Sequence, residues 1–365
     1  MIYIKTITSY LDKEFPLADQ EDWDNCGLLI GNAEQEITSA LLCVDITEDI
    51  VEEAVLLKCG LIIAHHPIIF GGLKRITGKT YVERIVQKVI KYNIAIYAIH
   101  TNLDNHINGL NRMLAEKLGM TNLKILRPKQ DTLRKIVTFC PTEHAEKVRN
   151  AIFEAGAGQI GNYDSCSYNT LGEGSYRANA EANPYAGETD KLHFEKEVKI
   201  EAIYPVYLEQ LIISSMIKAH PYEEVAYDIL LLGNTNKYRG SGIIGNLASE
   251  TTASGFLEKV KTVCGMPVIK YNGDLSQQVT TIALCGGSGS FLIQDAMKAG
   301  AQVFLTADLK YHDYFLPEGK MLLGDIGHYE SEQFSKDLIA QVLMKKFPNF
   351  AALKTKTNSN PVKYL

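Results

Sequence analysis

The 365-residue sequence has no Cys-x-x-Cys pair, no long apolar run and no excess of basic residues. Its seven cysteines are an odd number and lie far apart, which argues against a disulfide framework or a thiolate zinc site and predicts a cytoplasmic protein with reduced thiols. No stretch approaches the roughly 18 apolar residues that cross a bilayer, and the N-terminus lacks the apolar core of a signal peptide. The net charge of −6 provides no basic surface for nucleic acid. What remains is an ordinary globular composition, long enough for roughly two to three domains.

An apolar segment that ends in two adjacent histidines is the most informative feature. The run LIIA at residues 61–64 is followed by His65, His66 and Pro67. Such runs are typical of buried strands in parallel sheets, and Pro67 prevents further pairing beyond the strand. Open α/β folds bind ligands beyond the carboxyl ends of these strands, where both imidazoles can lie. The pair alone is compatible with a metal site and with a structural role.

Further residues that can bind metal follow two more predicted strands. Asp104 comes after the apolar strand IAIYAI, and His328 and Glu332 come after the last predicted strand. Residues four apart share a face of a helix, so a helix that begins near His328 brings Glu332 beside it, whereas Glu330 points elsewhere. Imidazole and carboxylate are ligands for Zn, Fe, Mn or Co. The residues that we expect to converge on one site are His65, His66, Asp104, His328 and Glu332.

The number of these ligands suits a pair of ions better than a single one. They are too many for a four-coordinate structural ion that leaves room for a substrate, and they suffice for two ions if a carboxylate and a water bridge them. Paired sites hold their ions ~3.5–4 Å apart and share ligands in this way. Glu332 is the predicted bridge, because its longer side chain can present one oxygen to each ion. The expected cofactors are therefore two divalent metal ions per subunit.

Two parts of the sequence repeat the same order of elements. In both, a strand ends in Leu-Cys (42–43 and 284–285), then come a helix, a glycine and a second apolar strand. One copy ends in AHH and the other in TAD, which places Asp308 at a strand end facing the same cleft as the histidines. The pattern predicts an α/β protein with two similar metal-binding halves, residues 1–128 and 239–365, whose strand ends converge on one cleft. Asp308 is the candidate catalytic residue.

The intervening residues, 129–238, follow a different plan. A strand, a proline and a helix occur at 135–154 and again at 198–218. Two such halves predict an inserted ferredoxin-like α+β domain. Its HPYE stretch at 220–223 resembles a stretch of the CutA and PII-like trimeric domains, and it equally fits a turn between a helix and a strand.

Two other motifs have both a structural and a functional interpretation. The stretch WDN at 23–25 fits a tight turn in which Trp23 anchors the packing, although Asp24 and Asn25 are also suited to contact the ligands of a site. The stretch GGSGS at 286–290 offers amide groups to a phosphate. It has neither the lysine of a P-loop nor the third glycine of a dinucleotide fingerprint, so a turn with positive φ is the favoured explanation.

Together these stretches resemble the NGG-interacting-factor-three-like family of dinuclear-metal proteins. The matching stretches are WDNCGLLIG at 23–31, AHHP at 64–67, HTNLD at 100–104, TAD at 306–308 and GHYESE at 327–332. The resemblance implies the same set of metal ligands and a three-layer α/β/α sandwich that contains the CutA/PII-like insertion of the long bacterial members. It also implies a homohexameric toroid whose metal sites face an inner cavity. Asp308 departs from the family pattern, because shorter members often carry glutamate there.

The resemblance also implies an activity. The name commonly attached to such proteins, GTP cyclohydrolase I type 2 homologue, implies hydrolytic attack on a purine ring by a metal-activated hydroxide. Nothing in the residues themselves selects guanine or a triphosphate. Two functions stay open: a metal-dependent hydrolase of a nucleotide or phosphate-bearing small molecule, and a metal-binding regulatory or metal-delivery protein without turnover. Neither a membrane nor a nucleic acid is an expected partner.

Overall fold

The computed structural model describes all 365 residues and divides the chain into two compact units. The first unit comprises Met1–Pro128 and Lys237–Leu365, and the second comprises Lys129–Asn236. Both units mix helices and strands, so the predicted α/β class is confirmed. The assignment of residues 129–238 to an inserted domain with a role of its own stays a prediction.

Seventeen strands and eleven α-helices make up the two units. In chain order the strands are β1 (Ile2–Tyr3), β2 (Gly27–Ile30), β3 (Glu36–Ile37), β4 (Ser39–Cys43), β5 (Leu61–Ala64), β6 (Ala95–Ala98), β7 (Met120–Pro128), β8 (Leu133–Pro141), β9 (Tyr168–Arg177), β10 (Leu192–Pro205), β11 (Tyr227–Leu231), β12 (Gly240–Thr252), β13 (Lys270–Tyr271), β14 (Gln278–Ser288), β15 (Val303–Ala307), β16 (Leu322–Asp325) and β17 (Ala351–Lys354). The α-helices are α1 (Ile4–Glu14), α2 (Glu48–Leu56), α3 (Tyr81–Lys91), α4 (Thr101–Asp104), α5 (Leu110–Lys117), α6 (Ala145–Glu154), α7 (Glu209–Ala219), α8 (Ala253–Cys264), α9 (Ile293–Lys298), α10 (His328–Glu332) and α11 (Ser335–Lys346). No helix is both long and apolar enough to cross a membrane.

A five-stranded sheet in the first unit carries the histidine pair. Its strand order is β17-β4-β5-β6-β2, and all neighbours except β6 and β2 are parallel. Every residue of β5 and β6 is buried, as expected for apolar strands whose two faces are covered. Ala64 pairs with Ala98 at the ends of these two strands. The residues that follow β5 and β6 therefore leave the sheet side by side.

A six-stranded sheet contains most of the second half of the first unit. Its order is β13-β16-β15-β14-β12-β7, with β14, β15 and β16 parallel and the other neighbours antiparallel. Each predicted half thus supplies most strands of one sheet and one edge strand of the other, because β7 joins the six-stranded sheet and β17 joins the five-stranded sheet. Gly240 of β12 pairs with Pro128 of β7, so the chain enters and leaves residues 129–236 at adjacent positions of one sheet.

Helices cover both faces of each sheet. The largest core contains side chains from both sheets together with α1, α5, α8 and α11. Helices α2 and α3 pack on the opposite face of the five-stranded sheet, and α9 packs on the opposite face of the six-stranded sheet. Apolar residues at helical spacing account for this packing, since Ile4, Ile7 and Leu11 of α1 are all fully buried. Helices on both faces of a sheet agree with the predicted sandwich in its coarse form.

The second unit has a four-stranded antiparallel sheet in the order β11-β8-β10-β9. The chain order β8-α6-β9-β10-α7-β11 is the β-α-β-β-α-β order predicted from the sequence. Helices α6 and α7 pack against Ile136 of β8 and Ile200 of β10 on one face of the sheet. Side chains alternate along a strand, so Glu197 and Lys199 lie on the other face.

Two local predictions are wrong. Strand β14 continues to Ser288, so the stretch GGSGS begins inside a strand and not in a turn. The helix after His328 is interrupted, because α10 ends at Glu332 and α11 begins at Ser335. The interruption leaves α10 as a separate short helix at the carboxyl end of β16.

Candidate metal centre

The ends of three buried strands bring the predicted ligands together in the first unit. His65 and His66 follow β5 directly, Asp104 ends the short helix α4 after β6, and α10 after β16 carries the remaining two. His65 is fully buried and Glu332 is 2% exposed. Each of these elements follows an apolar strand, so local sequence determines where each polar side chain leaves the core.

Glu332 belongs to two groups of side chains that could each hold an ion. One group is His65, Asp104 and Glu332, and the other is His66, His328 and Glu332, with potential ligand atoms within 4.8 Å of one another. Glu332 Oε1 lies 3.8 Å from His65 Nε2, which is 3.7 Å from Asp104 Oδ1. Glu332 Oε2 lies 2.9 Å from His66 Nε2 and 3.2 Å from His328 Nε2. The two oxygens of one carboxylate thus face different groups, as a bridging ligand requires.

Three buried polar atoms of this cluster have no hydrogen-bond partner. They are His65 Nε2, Asp104 Oδ1 and Glu332 Oε2. Oε2 is close to two imidazoles, but neither contact has hydrogen-bond geometry. Glu332 Oε2 keeps ion-pair contacts with His66 and His328. A buried polar atom left without any partner costs ~1–3 kcal/mol, so His65 Nε2 and Asp104 Oδ1 are unfavourable unless a ligand contacts them. Imidazole nitrogens and carboxylate oxygens fit a divalent cation in that role.

The histidines that follow β5 are held through the ring nitrogen opposite the cluster. His65 Nδ1 lies 2.9 Å from the carbonyl oxygen of Ile99, and His66 Nδ1 lies 2.7 Å from Asp45 Oδ1. Because these oxygens only accept, each Nδ1 donates a proton to them and each Nε2 remains available to a metal. Such contacts also fix the orientation of each ring.

Asp308 holds the third imidazole in the same way. Its Oδ2 lies 2.6 Å from His328 Nδ1 and accepts a hydrogen bond from the Ser288 hydroxyl. Burial opposes the ionised form of Asp308, but these two contacts outweigh it and hold its pKa below the ordinary value. The geometry is that of a positioning residue for His328. A catalytic role for Asp308 stays a prediction.

The pKa values of the predicted ligands depend on one another. Burial alone would lower the pKa of His66, but Asp45 and Glu332 raise it to about 10. For His328, Glu332 and Asp308 likewise outweigh burial and raise the pKa to about 9. Burial and the charge of Glu332 raise the pKa of Asp104 to about 8. Burial opposes the charge of Glu332 itself, yet the surrounding imidazoles hold its pKa below the ordinary value.

His100 is a residue of the site that the sequence reasoning missed. It forms a third group with His65 and His66, with ring centroids 5.2 and 5.1 Å from theirs. Asp24 Oδ1 lies 2.9 Å from His100 Nδ1, and this contact, against burial, lowers the pKa of Asp24. Asp24 thus contacts a histidine of this group, and its functional role stays a prediction. Trp23 is 62% exposed, so its interpretation as a packing anchor is wrong.

The glycine-rich stretch makes room for Glu332. Gly287 has a φ of 62°, and a Cβ at this position would collide with Glu332 Oε1. Only glycine combines the left-handed backbone with this close approach at no cost. The requirement for positive φ is thus confirmed at Gly287, and a further reason for the glycine is the adjacent carboxylate.

A buried cluster of imidazoles and carboxylates at strand ends defines a candidate metal-binding α/β protein. The chain belongs to the Duf34/NIF3 (NGG1p interacting factor 3) family, whose model matches residues 2–361. The family resemblance predicted from the sequence is therefore confirmed.

Individual relatives extend over nearly the whole chain. A protein of Halalkalibacterium halodurans named GTP cyclohydrolase 1 type 2 homolog is 36% identical over 346 residues, which cover 93% of this chain and 92% of that protein. A Bacillus subtilis protein of the same name is 36% identical over 360 residues, which cover 96% and 95%. The crystal structure of a Bacillus cereus protein related to NIF3 is similar with a TM-score of 0.86 at 35% identity, covering 100% of this chain and 99% of that one.

Proposed function

We propose that this protein is a dinuclear-metal hydrolase that acts on a nucleotide or another phosphate-bearing small molecule. The observation that carries the proposal is the position of Glu332, whose two oxygens face two ligand groups in a buried cluster with unpartnered polar atoms. The name of the relatives, GTP cyclohydrolase 1 type 2 homolog, supports a purine nucleotide as the first substrate to test. The ions would be Zn, Fe, Mn or Co, two per subunit.

In this proposal His65 and Asp104 would hold one ion, His66 and His328 would hold the other, and Glu332 would contribute to both. A bound pair of ions supplies a nucleophilic hydroxide near neutral pH and stabilises negative charge on the substrate. The residues behind the histidines keep the proton on each Nδ1, so that each Nε2 is directed into the site without further rearrangement.

Two exposed aromatic side chains beside the cluster favour an organic substrate over a bare metal cargo. Trp23 and Phe70 are 62% and 53% exposed. Both rings lie edge-on to His100, with centroid separations of 5.8 and 6.0 Å. Large apolar side chains that stay exposed together mark a contact surface, and aromatic rings stack readily on a planar base.

The proposal includes the finer architecture and the assembly. In the proposed sandwich each of the two similar halves supplies most strands of one sheet and exchanges one edge strand, β7 or β17, with the other. Residues 129–238 correspond to the CutA/PII-like insertion. The homohexamer rests on the family resemblance, and light scattering of the purified protein tests it. The cytoplasmic location rests on the cysteine usage, with all seven cysteines free.

Metal analysis combined with a substrate screen tests the function. Protein purified without added metal is analysed for bound elements, loaded with the ion found, and assayed on a panel of nucleotides that includes GTP. We expect turnover that is abolished in His65→Ala and retained in Glu330→Gln, since the Glu330 carboxylate contacts Asn360 and not the cluster. Reversible transfer of metal to an acceptor, without turnover of any panel member, would identify a metal-delivery protein instead.

A further inference from the structure

A cavity in the second unit lies on the sheet face that the helices leave open. Its volume is about 670 Å³, within the range of small-molecule sites. Strand β9, the loop 178–185 and the turn 222–224 surround it, and Phe139 and Glu197 form part of its floor. All of its lining residues belong to the second unit, whereas the proposed metal centre belongs entirely to the first.

Three tyrosine rings in the wall of this cavity are fixed through their hydroxyl groups. The centroid of Tyr222 lies 5.9 Å from those of Tyr176 and Tyr185. Tyr176 donates its hydroxyl proton to a backbone carbonyl at 2.8 Å, Tyr185 donates to Glu143, and Tyr222 donates to Glu197 Oε1 at 2.8 Å. Because each hydroxyl proton is already donated within the protein, the tyrosines can contact a ligand mainly through the faces of their rings.

Glu197 brings a buried carboxyl group to the same cavity. It is 8% exposed, and its hydrogen bond comes from the neutral Tyr222 hydroxyl. The lysine that lines the cavity, Lys199, pairs instead with Glu201 at 3.2 Å. A Cβ on Gly174 would collide with Glu197 Oε2, so the glycine allows the carboxylate to lie there. Glutamates are almost never buried this far without a cationic partner, which points to a partner from outside the chain.

We propose that this cavity binds a small organic cation, an alkylammonium or guanidinium compound. The Glu197 carboxylate supplies the opposite charge, and the tyrosine rings attract a cation through their faces. The lining contains four glutamates against one lysine and one arginine, which disfavours a phosphate-bearing anion. The inference does not depend on the proposed hydrolase, because none of the residues that carry it belongs to the metal centre.

Calorimetric titration of the full chain tests the site. The probes are 1,4-diaminobutane, tetramethylammonium and butylguanidinium, with 1-butanol and butyrate as neutral and anionic controls of similar size. We expect only the three cations to bind. Glu197→Gln should lower their affinity by about tenfold or more, because it removes the charge but keeps the side-chain shape and an acceptor for the Tyr222 hydroxyl. Glu146→Gln on α6, which is exposed and outside the cavity, is the matched control and should change nothing.

A second variant keeps the test decisive if Glu197→Gln folds poorly. Tyr176→Leu removes one aromatic ring but leaves both partners of the Tyr222–Glu197 hydrogen bond in place. We expect it to lower the affinity for tetramethylammonium by about threefold or more. Comparable binding of butanol or butyrate, unchanged affinity in both variants, or no binding of any cation at millimolar concentration would overturn the proposal.

Discussion

Adding a divalent cation to the metal-free protein is expected to displace protons, because imidazole and carboxyl groups bind metal only after they lose theirs. The number of protons displaced depends on three raised pKa values: about 10 for His66, about 9 for His328 and about 8 for Asp104. All three lie above their ordinary values, so each group keeps its proton at a pH where it would otherwise have lost it. The sign of the effect is therefore proton release, and metal affinity should rise with pH.

The number of protons follows from the three pKa values. At pH 7 all three groups are almost fully protonated, so filling the site should release about three protons per subunit. At pH 8.5 Asp104 is mostly ionised and His328 is partly neutral, so the release should fall to about two. Apparent affinity should accordingly depend less steeply on pH as the pH rises through this window.

Direct measurement uses a weakly buffered solution, a pH indicator and Mn²⁺ or Co²⁺ as the added ion. His328→Ala should lower the release at pH 7 by about one proton, whereas His193→Ala in the second unit should leave it unchanged. A release of less than one proton at pH 7 would refute the reasoning, because the proposed ligands would then be neutral imidazoles and ionised carboxylates before the metal binds.

Three further changes test other parts of the site. Elemental analysis should show that Glu332→Ala loses both ions, whereas the control Glu330→Gln keeps them. If Glu332→Ala retained two ions, Glu332 could not be the shared ligand. Asp45→Ala should lower the affinity for one of the two ions by about 10–100-fold, because it removes the hydrogen-bond partner of His66 Nδ1. Competition with a chromophoric chelator measures this affinity, and an equal loss of affinity for both ions would contradict the prediction. Replacing residues 129–236 by a short glycine-rich linker should leave a folded protein with unchanged metal content, because Gly240 already pairs with Pro128. An insoluble or metal-free product would show that the second unit completes the core or the site.

The convergence of the candidate ligand side chains could be predicted from the sequence because each position depends on a short local pattern. Strands β5 and β6 are continuous apolar runs, and parallel strands end at the same edge of a sheet, so His65 and Asp104 were expected together. The spacing of four residues selected Glu332 as the neighbour of His328. Glu330 faces away as expected, with its Oε1 2.9 Å from Asn360 Nδ2.

Long-range pairing explains what the sequence did not reveal. The Leu-Cys repeat indicated two similar halves, but strand periodicity does not say which strands pair. Each half in fact supplies one edge strand, β7 or β17, to the sheet of the other half. Strands β7 and β12, interrupted by polar residues and glycine, escaped prediction for the same reason. His100 lies just beyond β6 but was not chosen as a ligand, because its partner Asp24 lies 76 residues away and residue spacing does not predict a contact over that distance.

The pairing of β7 with β12 across the second unit also bears on how the protein is made. Asp104 leaves the ribosome roughly 230 residues before Glu332, a delay of about 10–50 s at ~5–20 residues per second. During this interval the nascent chain has its first two histidines but neither the shared glutamate nor the sheet that supports it. The second unit has all of its strands and helices before β12 is synthesised, so it can fold while the first unit is still incomplete. With the proposed ligands, tight metal binding would therefore be confined to chains whose synthesis has run past α10, and an ion would stabilise only those chains.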